Sequence, residues 1–107
     1  MATFGEFLKK ERKKKGLNQS DFGQKIGIIM TDISKIENGR KKFPFQNLEN
    51  LSEFIDKEIN QLNTLFVADI LVEEVHKYKC SDDVFSVAEE QSKYVKNKNV
   101  KQGNFNF

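Results

Sequence analysis

The side chains between residues 30 and 35 combine hydrogen-bond donors, acceptors and one flexible apolar group within two helical turns. They are Met30, Thr31, Asp32, Ser34 and Lys35. At helical spacing they share the solvent side, because Ile33 and Ile36 stand three apart and take the inner side. A lysine ammonium only donates, an aspartate only accepts, and a hydroxyl does both. Short or flexible groups of this kind are suited to reaching polar edges inside a groove.

Residues for covalent or metal chemistry are scarce. The only His and Cys, His76 and Cys80, provide no Ser/His/Asp set and no metal-ligand spacing, and the chain has no glycine-rich phosphate loop. We therefore expect a protein that is not an enzyme and that needs no metal or cofactor. A single Cys also cannot form an internal disulfide, which is typical of a reducing compartment.

The charges are divided unevenly along the chain. Residues 1–44 hold eleven Lys and Arg against five acids, a net charge of +6, whereas residues 45–90 hold three Lys against eleven acids, a net charge of −8. A basic front half favours a polyanionic partner for that half alone. The alternative is that these charges only solvate the outer faces of helices.

Two short helices joined by a tight turn must position the side chains of residues 30–35. Phe22 and Ile26 stand four apart and share one face of the first helix. Gly27 is expected to end that helix, because glycine readily adopts the left-handed conformation. Gly23 falls where the two helices would cross, and its missing side chain allows a close approach.

The stretch from Gln19 to Asn38 resembles the helix-turn-helix of the XRE family, the Cro- and phage-repressor-like DNA-binding domains. That family has apolar residues at the fourth, eighth, tenth, fifteenth and eighteenth positions of the unit, a small fifth residue and a glycine ninth. At these positions the chain has Phe22, Gly23, Ile26, Gly27, Ile28, Ile33 and Ile36. The resemblance covers about residues 3–66. It implies an all-α fold, with a five-helix repressor-like helix-turn-helix domain over residues 1–66.

The resemblance also implies which side chains read bases in the major groove of double-stranded DNA. These are Met30, Thr31, Asp32, Ser34 and Lys35. Lysine can donate to guanine O6 and N7, aspartate can accept from cytosine N4, and threonine and methionine can contact a thymine methyl group. The chain departs from the family at Ile29, which stands where Ser or Thr usually caps this helix, and at Met30, which replaces the more common Gln or Arg.

The residues that flank the unit are expected to contact DNA phosphates. They are Asn18, Gln19, Arg40, Lys41 and Lys42. For Asn18 and Gln19 the alternative is that they only cap the second helix or brace the third. By the same resemblance, we expect a salt bridge between Arg12 and Glu37 that ties the first helix to the third.

From Leu62 onward the apolar residues go most of the way round a helix, which must then be buried on all sides. A domain this small has nothing to cover the second side, so we expect residues 67–96 to form a C-terminal helical extension that makes a homodimer. The expected interface residues are Leu65, Val67, Ile70, Leu71 and Val75. The alternative is that the last helix, about residues 82–96, folds back within one chain. Residues 97–107 are expected to be a flexible tail.

The sequence thus favours a homodimeric, sequence-specific transcription regulator that acts on a palindromic operator, either a restriction–modification controller or a phage-type repressor. The alternative is an antitoxin-type DNA-binding protein whose C-terminal half binds a protein partner. The most apolar run, residues 65–72, is interrupted by Asp69 and is too short to cross a bilayer. There is no signal-peptide pattern, so we expect a cytoplasmic protein without a membrane partner.

Overall fold

The computed structural model of the chain describes residues 2–101, with the side chains of residues 2–99, and this part of the chain contains helices but no strand. The helices are α1 (Phe4–Lys14), α2 (Gln19–Ile26), α3 (Met30–Glu37), α4 (Leu48–Ile55), α5 (Ile59–Lys77) and α6 (Asp83–Lys101), with a single 3-10 turn (Phe45–Asn47) before α4. The all-α, repressor-like fold class expected from the sequence is confirmed. Two compact units divide the chain between Ile70 and Leu71.

Side-chain caps fix where the first two helices begin. The Thr3 hydroxyl accepts a hydrogen bond from the backbone N–H of Glu6 at 3.3 Å, at the start of α1. The Asn18 side-chain oxygen accepts from the backbone N–H of Asp21 at 2.7 Å, at the start of α2. Each cap satisfies a donor that has no partner inside its helix. Both capping residues can be recognised from the sequence.

The turn between α2 and α3 is packed closely against α2. Gly27 ends α2 with φ of 77°, in the left-handed region that favours glycine. A Cβ atom at Gly23 would collide with the backbone carbonyl oxygen of Ile28 and would lie 3.3 Å from the Ile33 side chain. The close approach predicted at Gly23 therefore involves the backbone of the turn as well as the facing helix.

One hydrophobic core holds the first unit together. Its buried members are Phe4, Leu8, Phe22, Ile26, Ile28, Ile33, Ile36, Phe43, Leu48, Leu51, Ile55 and Leu62. All five apolar positions of the helix-turn-helix pattern belong to this core. Because both helices of the unit are anchored by fully buried side chains, α3 is held in one orientation, with its opposite face left outside.

α5 differs from the expectation of a short helix up to residue 66 followed by an extension from residue 67. A single helix runs from Ile59 to Lys77, and the first compact unit ends at Ile70. Asp69 also belongs to the first unit, since its Oδ2 accepts a hydrogen bond from the backbone N–H of Phe4 at 2.9 Å. The first compact unit thus extends four residues beyond the predicted bound at residue 66.

In the second unit, α6 begins at Asp83 and continues to Lys101. The tail predicted from residue 97 does not begin there, because residues 97–101 continue the helix; residues 102–107 lie outside the described residues. Among the helices that the structure describes, none is long and apolar enough to cross a membrane.

Candidate nucleic-acid interface

The side chains predicted to read bases lie along the outer face of α3. Met30 is 52% exposed, Thr31 and Lys35 are exposed as well, and Asp32 and Ser34 are half-buried. The inner face of the helix is fixed in the core. The structure thus places all five side chains on one surface, and that surface begins at the N-terminal end of α3.

Ile29 adds an apolar side chain to the start of this surface. It precedes α3 as the N-cap residue, makes no side-chain capping hydrogen bond, and is 67% exposed. Together with Met30 it forms an exposed apolar pair. The sequence marked Ile29 only as a departure from the usual polar cap. The sequence did contain a signal that Ile29 has a role other than capping, because a large apolar residue stands at a position where a polar one is preferred.

A buried ion pair fixes the end of α3 to α1. Arg12 Nε donates to Glu37 Oε2 at 2.7 Å, and Arg12 Nη2 donates to Glu37 Oε1 at 3.1 Å. The Glu37 side chain is 1% exposed and that of Arg12 is 12% exposed. Arg12 also donates to the carbonyl of Leu17 at 2.9 Å. The salt bridge expected from the sequence is present as a two-pronged pair, the geometry that best compensates a buried carboxylate.

Gln19 and Asn18 both act within the protein. Gln19 Nε2 donates to Glu37 Oε1 at 3.2 Å, so Gln19 braces α3, which is one of the two roles that the sequence left open. Asn18 is exposed, but its side-chain oxygen is engaged as the cap of α2. A phosphate at this end of α2 can accept from backbone N–H groups, and the cap does not use the side-chain NH2 group of Asn18, which is also a donor.

The loop after α3 carries three cations. Gly39 turns the chain with φ of 75°, and the Arg40 backbone N–H donates to the carbonyl of Lys35 at 2.8 Å. Arg40, Lys41 and Lys42 all have exposed side chains. The basic loop therefore leaves α3 directly beside its last turn, next to the exposed Lys35.

Lys41 contacts the outer face of α3. This face, the recognition surface, consists of Met30, Thr31, Asp32, Ser34 and Lys35. Lys41 Nζ lies 2.9 Å from Asp32 Oδ2. The family resemblance assigned Asp32 to base reading and Lys41 to a phosphate, without identifying the two as partners. In the structure these two residues form one ion pair.

The residues predicted to form a dimer interface differ in exposure. Leu65 packs partly against the core of its own chain, which leaves it little free surface, and Ile70 and Val75 are half-buried. Val67 and Leu71 are 46% and 47% exposed. Val72, which the sequence did not assign to the interface, is 46% exposed.

The family model described as helix-turn-helix matches residues 8–62, from α1 into the first turns of α5. The chain belongs to this family, in its XRE type. The resemblance seen in the sequence is thereby confirmed. The protein is a DNA-binding regulator of the XRE type, and its relatives are regulators rather than enzymes.

Individual relatives agree with this assignment. The chain is 38% identical over 60 residues to the control protein C.MunI of a Mycoplasma species. The aligned residues cover 55% of this chain and 81% of that protein. It also resembles the crystal structure of the P22 c2 repressor in complex with the synthetic operator 9T in the presence of Tl+. That likeness has a TM-score of 0.52 and 26% identity over 58% of this chain and 94% of that one. The SinR–SinI complex is similar at a TM-score of 0.49 and 25% identity over 89% and 99% of the two chains, a likeness that supports no functional conclusion.

Proposed function

We propose that this XRE-type protein is a sequence-specific transcription regulator that binds a palindromic operator in double-stranded DNA as a homodimer. The observation that carries the proposal is the outer face of α3. It presents exposed polar and apolar side chains, while the inner face is locked in the core and the helix end is tied to α1. A rigid helix with such a face is what readout in the major groove requires.

We propose different roles for Lys35 and Arg40. Lys35, exposed in the last turn of α3, can donate to guanine O6 and N7. The exposure of Arg40 in the loop that follows supports a contact with the sugar–phosphate backbone beside the groove. Contacts of the second kind give affinity and orientation without sequence information. We therefore assign Lys35 to specificity and Arg40 to affinity.

The relatives favour one class of regulator. C.MunI is a control protein, and the chain spans most of its length. This supports a restriction–modification controller as the biological role. The likeness to the P22 c2 repressor supports a phage-type repressor as the close alternative. Both roles use the same DNA-binding surface, and the gene neighbourhood would separate them.

Homodimerisation is supported by exposed apolar side chains on α5. Val67, Leu71 and Val72 are each nearly half exposed, and a second copy of the same helix is the simplest cover for them. An interface of this kind is two-fold symmetric. It would present two recognition helices to half-sites about one DNA turn apart, roughly 34 Å.

The test is fluorescence-anisotropy binding to DNA upstream of the gene and to scrambled DNA, across a salt series. We expect tight binding to the upstream DNA only. Lys35→Ala should reduce that preference, whereas Arg40→Ala should weaken binding to both DNAs and lower the salt slope by about two, one for each copy in the dimer. Lys93→Ala, an exposed lysine of α6, is the control with the same loss of charge and should change neither.

Weak and equal binding to both DNAs would contradict the proposal for this operator. Co-purification of a second polypeptide from the native operon would then favour the antitoxin-type role, in which the C-terminal half binds a protein partner.

A further inference from the structure

The Asp32–Lys41 ion pair connects the recognition surface to the basic loop. Asp32 lies in the first turn of α3 with its side chain 26% exposed, and Lys41 follows the helix with its side chain 47% exposed. Lys41 Nζ and Asp32 Oδ2 lie 2.9 Å apart. A DNA phosphate would attract the lysine and repel the carboxylate.

A pair with this exposure contributes little to stability, because water screens both charges and the lysine loses side-chain entropy. Lys41 can therefore leave Asp32 for a DNA phosphate. Its departure, however, would leave a carboxylate facing the negative potential of the groove. The cost of the phosphate contact thus depends on what Asp32 meets once Lys41 has gone.

We propose that Asp32 makes the phosphate contact of Lys41 conditional on the base at its position. This inference rests on the proposed function. Where the base edge offers an amino group, the N4 amine of cytosine, Asp32 accepts its hydrogen bond and Lys41 turns to the phosphate. On other DNA, Lys41 stays on Asp32 and its phosphate contact is not made. Asp32 is then a specificity-determining residue that acts partly through the lysine it holds.

The inference makes a prediction about salt dependence, because each phosphate contact adds about 0.9 to the slope of log K against log salt concentration. Because the proposed homodimer carries two Lys41 side chains, the slope for the unsubstituted protein on upstream DNA should exceed the slope on scrambled DNA by about 1.8. In Asp32→Ala both lysines can contact phosphates on any DNA, so the slope on scrambled DNA should rise by about 1.8 and the affinity for it should increase several-fold. The preference for upstream DNA should fall accordingly.

Three variants separate this mechanism from a general charge effect. Asp32→Ala/Lys41→Met should return the slope on scrambled DNA to that of the unsubstituted protein. Asp21→Ala, which removes an exposed carboxylate from the first turn of α2, should leave that slope unchanged. Asp32→Asn keeps the shape of the side chain and should raise the slope as Asp32→Ala does. Thermal unfolding of each variant checks that the fold is intact.

The outcomes are distinct. An unchanged slope on scrambled DNA in both Asp32→Ala and Asp32→Asn would overturn the inference while leaving the regulator proposal in place. A raised slope that persists in the double variant would also overturn it, since Lys41 would then not be the source. If the unsubstituted protein bound both DNAs equally, the proposed function would fail and the inference with it.

Discussion

The Arg12–Glu37 pair is the polar contact on which the position of α3 depends most. Glu37 is buried and receives three hydrogen bonds from two side chains, so a change in one partner leaves a carboxylate that water cannot reach. Breaking a buried pair costs far more than the pair contributes, because the remaining charge is uncompensated. The pair is therefore a condition for the recognition surface to keep its shape.

Arg12→Met should lower the free energy of unfolding by about 3 kcal/mol, since it strands the buried Glu37 carboxylate. Urea unfolding followed by circular dichroism measures it. Arg12→Met/Glu37→Gln should recover part of the loss. Lys93→Ala, which removes an exposed lysine 3.2 Å from the exposed Glu89, is the control and should cost less than about 1 kcal/mol. Equal, small effects of Arg12→Met and Lys93→Ala would show that the buried pair does not hold α3.

The exposed apolar pair Ile29–Met30 predicts sensitivity to methyl groups in the major groove. If these side chains cover a thymine methyl, its replacement by hydrogen loses about 0.8 kcal/mol of apolar burial, roughly fourfold in affinity. Operator DNA with deoxyuridine in place of thymidine, one position at a time, tests this by anisotropy. Ile29→Ala/Met30→Ala should weaken binding to the thymidine operator and remove the difference between the two bases. Affinity that is indifferent to every such replacement would mean that the pair contacts no methyl group.

At the scale of the element, the helix-turn-helix depends on a missing side chain. Gly23→Ala places a Cβ against the Ile28 carbonyl oxygen, and backbone cannot move away as a flexible side chain can. We expect a loss of about 2 kcal/mol or more in unfolding free energy, as for overpacked cores, together with weakened operator binding. Gln24→Ala, at the neighbouring exposed helical position, should be near neutral. If Gly23→Ala unfolded at the same urea concentration as the unsubstituted protein, the turn would be looser than its geometry indicates.

These elements show what the sequence can specify and what it cannot. The buried positions of α2 and α3, the caps at Thr3 and Asn18 and the turn at Gly27 were predictable, because each depends on local spacing or backbone conformation. The hydrogen bond from Phe4 to Asp69 was not, since it joins residues 65 apart in sequence.

α5 and the recognition surface illustrate the same limit. Apolar residues all round α5 gave no periodic signal for where its core-facing part ends, so the sequence could not show that the first compact unit continues to Ile70. The Asp32–Lys41 pair depends on how a loop folds back over a helix. The family resemblance predicted a DNA contact for both residues but did not pair them with each other, and their contact appears only in the folded structure.

At the scale of the whole molecule, the charge pattern and the exposed apolar residues suggest different partners for different parts of the chain. The basic residues concentrate before residue 45, and the acidic ones follow. Apolar side chains are exposed on α5 at Leu71 and on α6 at Val87, which is 50% exposed. The first part is suited to DNA, and the later helices to a second copy of the chain.

Leu71→Glu should convert the proposed dimer to a monomer, because two carboxylates would face each other across a two-fold interface in place of apolar contacts. Sedimentation equilibrium measures the change in mass. Gln24→Glu, at an exposed position of α2 in the first unit, is the control and should remain dimeric. Val87→Glu asks whether α6 carries the interface instead. Loss of the dimer in Leu71→Glu alone would assign the interface to α5, and loss in Val87→Glu alone would assign it to α6. A dimer that survived both substitutions would contradict an interface built on these exposed side chains, and a monomeric unsubstituted protein would remove the basis for a palindromic operator.

Since two linked recognition helices bind two half-sites more tightly than one helix binds either, any monomeric variant should also lose most of its affinity for the full operator while Lys35 and Arg40 remain intact.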